Sequence, residues 1–97
     1  MALGVFMEFP GVTRDQYEQL VQGLGLSGPP EGELFHVCGP TSDGGWRTVD
    51  VWESQEAFER FANDLLIPQA RALGFPQPSK REFFEPFHAQ TPQSPLC

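Results

Sequence analysis

Along the first nine residues, Leu3, Val5, Met7 and Phe9 alternate with Gly4, Phe6 and Glu8, the period of a strand with one strongly apolar face. Pro10 and Gly11 end it. Thr13 and Gln16 have the spacing of a capping box, after which Tyr17, Leu20, Val21 and Leu24 share one helical stripe that Gly25 closes. Residues 27–32 are turn-rich, and two further strands are predicted over about residues 33–39 and 46–53. Ser54 suits the N-cap of a second helix, whose apolar stripe is Phe58, Phe61, Ala62, Leu65 and Leu66. Pro68 should break or kink that helix, with a short restart ending at Gly74. A last strand is expected over about residues 81–88, so that residues 1–88 form one domain and the polar, proline-bearing residues 89–97 a loose tail.

Strand, helix, strand, strand, helix, strand is the order of the ferredoxin-like plait, an antiparallel four-stranded sheet with two helices on one face. Turn chemistry sets one register. With Ser42 and Asp43 in a type I turn and Gly44 in the left-handed position, Thr41 meets Gly45, and Pro40, Cys38, Val37, His36, Phe35 and Leu34 oppose Trp46, Thr48, Val49, Asp50, Val51 and Trp52. A two-residue turn would set Val37 against Asp50 and mix the faces.

The faces themselves are assigned by hydrophobicity. The helices are expected to cover Leu3, Val5, Met7, Val37, Val49 and Val51, with Phe35 beside them. The back then displays Phe6, Glu8, Leu34, His36, Cys38, Trp46, Thr48, Asp50 and Trp52, too aromatic a patch to leave in water. A homodimer about a two-fold axis would cover it with a second copy, placing Trp52 at the centre of the contact. On the last strand, either Phe83, Glu85 and Phe87 or Glu82, Phe84 and His88 face the partner.

Composition narrows the function. A net charge of -7 with only six scattered basic residues argues against nucleic acid. The N-terminus lacks the basic region of a signal peptide and no apolar run approaches a membrane span, which points to the cytoplasm and to no membrane partner. Cys38 and Cys97 make no disulfide framework.

The candidate chemistry lies in the His36 and Asp50 pair. Opposed across two strands, the carboxylate would hold one imidazole nitrogen and raise the basicity of the other, which suits a general base, a metal's outer shell or a satisfied buried hydrogen bond. His36, His88 and Asp50 have the composition of an iron facial triad, yet the two histidines are far apart in sequence, and no metal is assigned. Phe6, Glu8, Trp46 and Trp52 are the candidate ligand-binding residues, the tryptophans as core or as walls of an aromatic pocket. Arg47, on the opposite parity, should pair with an acidic neighbour. No dinucleotide fingerprint, phosphate loop, paired-cysteine motif or nucleophile elbow is present.

The run DVWESQEAFERF at residues 50–61, with Leu66, Ile67 and Pro68 and the closing REFFEPFH, resembles small dimeric α+β barrel proteins of the antibiotic-biosynthesis-monooxygenase-like group. The resemblance implies a ferredoxin-like protomer, a face-to-face homodimer and a cavity for a small apolar or aromatic molecule. Members oxidise polycyclic quinols without a cofactor or degrade haem. The residues for haem degradation are missing, since Phe6 and Glu8 stand on the first strand and no histidine lies between Ser54 and Leu73; the quinol-oxidising pattern of Asn, Trp and Tyr is not met either, since Asn63 falls on the second helix and the only Tyr on the first. No cofactor is therefore expected. The rival expectation is a non-catalytic dimer with a fully packed core between its sheets.

Overall fold

The computed structural model describes residues 2–87. Strand β1 (Leu3–Phe9) leads into helix α1 (Arg14–Leu24), then β2 (Glu33–Pro40), β3 (Trp46–Trp52), α2 (Gln55–Phe61), α3 (Ile67–Ala72) and β4 (Lys80–Phe84). The sheet order is β2-β3-β1-β4 with every pairing antiparallel, the plait expected from the element order. His88 and the tail lie outside the described residues.

Local chemistry sets the boundaries. Thr13 accepts from the Gln16 backbone while the Gln16 side chain accepts from the Thr13 N–H, so the capping box at α1 is complete, and Gly25 closes the helix in the left-handed region at φ 68°. Ser54 accepts from Ala57 N–H and starts α2. Pro68 neither breaks nor kinks the second helix as a separate event. The five residues Ala62–Leu66 widen into a π-turn instead, in which Ile67 N–H bonds to the Ala62 carbonyl. Pro68 has no N–H for the Asp64 carbonyl and its ring would crowd it, and a wider turn relieves both problems without stopping the helix.

The β2–β3 hairpin has the expected register from Pro40↔Trp46 back to Phe35↔Val51, with Gly44 at φ 88°. One irregularity follows: Leu34 bulges out, so Glu33 rather than Leu34 meets Trp52.

The β1–β3 register corrects the face assignment. Leu3, Val5 and Met7 lie against Trp52, Asp50 and Thr48, so Trp46, Thr48, Asp50 and Trp52 share the helix-covered side with the β1 core residues. Trp52 is fully buried there, with ring centroids 5.7 Å from Phe58 and 5.2 Å from Phe61, and cannot sit at the centre of a dimer contact. Phe83, paired with Val5, closes the same core at 5.7 Å from Phe58. The open side carries Phe6, Phe35, Val37, Val49, Val51 and Phe84, so the second parity expected for the last strand holds for Glu82 and Phe84. Hydrophobicity alone could not separate the two sides because both are apolar. Size did: the indoles fill the deep space under two helices, and the β-branched valines suit a flat outer surface.

No helix among the described residues is long and apolar enough to cross a membrane.

Candidate functional site

Helix α1 stands off the sheet far enough to leave a cavity of about 360 Å³ between its apolar stripe and the strands. Met7, Phe9, Leu20 and Leu24 give it apolar walls, and its polar groups are Tyr17, Glu33, His36, Thr48 and Asp50. An apolar chamber with a few converging polar groups is the usual form of a small-molecule site.

The polar groups form an ordered chain. Asp50, buried on the central strand β3, holds His36 Nδ1 at 2.5 Å, and His36 Nε2 lies 2.7 Å from the Tyr17 hydroxyl. The hairpin register sets the first contact, and the capped helix α1 delivers the second. Trp46 stacks on Tyr17 at 5.1 Å between centroids and fixes the phenol ring from behind. Glu33 adds a second carboxylate 3.8 Å from His36 Nδ1. The hydrogen bond to Asp50 raises His36 to about 9, outweighing partial burial, so the imidazole is a cation at neutral pH. It then donates from both nitrogens, to Asp50 and to Tyr17, and leaves the Tyr17 hydrogen for an acceptor in the cavity. Burial, aided by the Cys38 thiol and the nearby carboxylates, pushes the Tyr17 phenol well above its ordinary value, which keeps it a donor. Burial and the Asp50 charge lift Glu33 to about 7, in spite of His36 nearby.

Thr48 is buried, lines the cavity, and its Oγ1 has no hydrogen-bond partner among the described residues. Such a group costs about 1–3 kcal/mol unless a bound molecule satisfies it. Glu33, His36 and Asp50 bring donor atoms within 4.8 Å of one another and, among the described residues, are the set that could hold a metal ion. An ion would have to displace the proton that His36 and Asp50 share, and both imidazole nitrogens already have partners.

Of the residues expected from the sequence, His36 and Asp50 are together in the cavity. Trp46 braces Tyr17, and Trp52 lies in the core beside it rather than on the wall. Phe6 and Glu8 point to the other side of the sheet, where Glu8 binds Arg47 at 2.5 Å and Phe6 lies beneath the cations of Arg47 and Lys80. The expected ion pair of Arg47 is thus present. Tyr17, Glu33 and Thr48 were not singled out by sequence. Tyr17 is the only tyrosine and falls on the helix stripe, but its meeting with His36 depends on how far α1 stands from the sheet; Glu33 enters through the bulge at Leu34, which no turn signal announces.

No family model matches the chain, and no curated protein matches its sequence. Solved structures do match. A variant of SnoaB, a cofactor-independent oxygenase from Streptomyces nogalater, is 18% identical over 96% of this chain and 98% of its own, with a TM-score of 0.66. An antibiotic-biosynthesis-monooxygenase-like protein from Chloroflexus aurantiacus is 14% identical over 94% and 98%, at 0.68. Rv0793 from Mycobacterium tuberculosis is 11% identical over 94% and 100%, at 0.70. At these identities the likeness is one of fold: the chain shares the ferredoxin-like α+β fold of these proteins.

Proposed function

We propose that the helix-side cavity binds a small, largely apolar aromatic molecule and that the chain oxygenates it without a cofactor, as a homodimer. The observation that carries this reading is the Asp50–His36–Tyr17 chain ending in an apolar chamber beside an unpartnered Thr48 hydroxyl. SnoaB, of the same fold, is a cofactor-independent oxygenase. Without a cofactor the substrate itself must supply the electrons, so it must form an electron-rich anion. An aromatic methylene or quinol next to a stabilising carbonyl or phenol satisfies this.

Glu33, at about 7, has the proton affinity of a general base at neutral pH. It takes a proton from the substrate carbon. Tyr17, backed by the His36 cation, donates to the oxygen on which the negative charge accumulates. The carbanion passes electrons to dioxygen and a carbon–oxygen bond forms, giving a peroxide that takes the proton back from Glu33. Loss of the second carbon-bound proton breaks the O–O bond, and the departing hydroxide with that proton leaves as water. The methylene becomes a carbonyl, one oxygen atom enters the product, and no outside reductant is consumed. Thr48 hydrogen-bonds the bound molecule.

The open side of the sheet supports the dimer. Phe35, Val37 and Phe84 are 44%, 50% and 45% exposed beside Val49 and Val51, and a second copy covers them by the same patch about a two-fold axis.

Anthrones and polycyclic quinols incubated with the protein under ¹⁸O₂ test the reading. Product carrying one labelled oxygen, lost on Glu33→Gln and Tyr17→Phe, is expected. Absence of binding and turnover across such a panel, or turnover undiminished in His36→Ala and Asp50→Asn, would overturn it.

A further inference from the structure

A second cavity, of about 440 Å³, lies on the other side of Met7, Phe9, Leu66 and Phe75, which line both chambers and so form a shared wall. Its roof is the π-turn, through Ala62, Asn63 and Leu66. Single widened turns of this kind recur at functional sites, and here the widening sets Leu66 where the two chambers meet.

Two cations gather around this chamber. The chain has six basic residues against 13 acidic ones; Arg14, Arg47 and Lys80 are each paired with a glutamate, and Arg60, without an ion pair among the described residues, lines neither cavity. Arg71 and Arg81 both line the second cavity, and neither has a carboxylate partner among the described residues. Arg81 lies over the Phe83 ring at 5.6 Å, which orients its guanidinium without neutralising it. The one acidic group on the lining, Glu59, accepts from Gln55 at 3.1 Å. In a protein of net charge -7, two unpaired guanidinium groups around one partly apolar chamber single out that chamber for an anion.

We infer that the second cavity binds the carboxylate or sulfonate of an aromatic acid through Arg71 and Arg81, the ring lying toward the shared wall. The anion site stands apart from the reading above, since the shared wall lies between the two chambers.

Titration with naphthalene-2-sulfonate and with 2-naphthol, followed by fluorescence and calorimetry, tests it. The sulfonate should bind, and Arg71→Gln or Arg81→Gln should each weaken it about fivefold to tenfold, the double variant more, while leaving naphthol unchanged. Raising the salt concentration should weaken the sulfonate alone. Circular dichroism of the variants, both at exposed positions, checks that folding is retained. Naphthol binding without sulfonate binding, or sulfonate affinity equal in wild type and the double variant, sinks the anion site and leaves the first reading intact. Sulfonate binding that depends on the arginines, without naphthol binding, upholds the anion site and removes the aromatic first cavity. Binding of neither overturns both.

Discussion

The two faces of the one sheet differ in what fills them. Under the helices lie the two indoles, the Asp50–His36 pair, Thr48 and the cavity; on the open side lie valines and phenylalanines bordered by the Arg47–Glu8 pair. Adjacent residues on a strand point in opposite directions, so β3 supplies both surfaces from alternate positions. The difference separates two tasks that a single aromatic face would have had to combine. In the proposed reading, chemistry belongs to the side that α1 encloses and assembly to the side where the sheet is bare.

The largest effect should come from Trp52. Its replacement by Ala removes a fully buried indole from contact with Phe58 and Phe61, and should cost about 3–5 kcal/mol in urea denaturation. The folded fraction should still form dimers. If Trp52→Ala left stability unchanged but released monomers, the helix-side placement would be wrong. Charge on the other face should act in the opposite way: Phe35→Lys with Val37→Lys ought to weaken dimerisation by at least about a hundredfold in sedimentation, while binding in the α1 cavity persists.

These two variants also mark what could be read from the chain. Capping residues, the Gly44 turn and the β2–β3 register were legible because each is decided by a few neighbouring residues. From that register came the His36–Asp50 opposition, the half of the site that lies within one hairpin. The β1–β3 register was not legible, since residues 3–9 and 46–52 pair across a long stretch of chain and either alignment sets apolar against apolar. An argument from volume, with tryptophan beneath helices and valine outside, was available and was outweighed by hydrophobicity. Tyr17, Glu33 and Arg71 enter their cavities through helix height, a bulge and a π-turn, none of which has a short sequence signal.

Acid-base behaviour should separate the faces next. Glu33 and His36 both have folded values raised above their unfolded ones, so each favours the folded state when protonated. Their contribution is present at low pH. It declines from about 4.5 to 7 as Glu33 ionises, and from about 6.5 to 9 as His36 loses its proton. Thermal melting across this range should show a fall on the alkaline side; Glu33→Gln should flatten its lower part, and Asp50→Asn its upper part by returning His36 toward its ordinary value. Turnover should follow a bell with limbs near 7 and 9, because Glu33 must be ionised and His36 protonated. Dimerisation should be indifferent, since neither group reaches the open face. A dimer constant that moved with either limb would join the two surfaces that the fold holds apart.

The finest test is Gly4, whose open side is covered by a ring. A Cβ built there would collide with the end of the Phe84 ring, too close to accept without movement. What it meets is the far end of a side chain that is 45% exposed, so the ring can swing outward, and Gly4→Ala should cost folding only about 1 kcal/mol. The displaced ring would stand proud of the surface proposed to meet a second copy, so the dimer should weaken while ligand affinity holds. Adding Phe84→Ala removes the obstruction, and the pair should couple: the alanine at Gly4 should be better tolerated in the shortened background than in the wild type. Strict additivity in folding and in dimerisation would mean that the Phe84 ring does not cover Gly4 in solution, and the open face would then be flatter than the packing here requires.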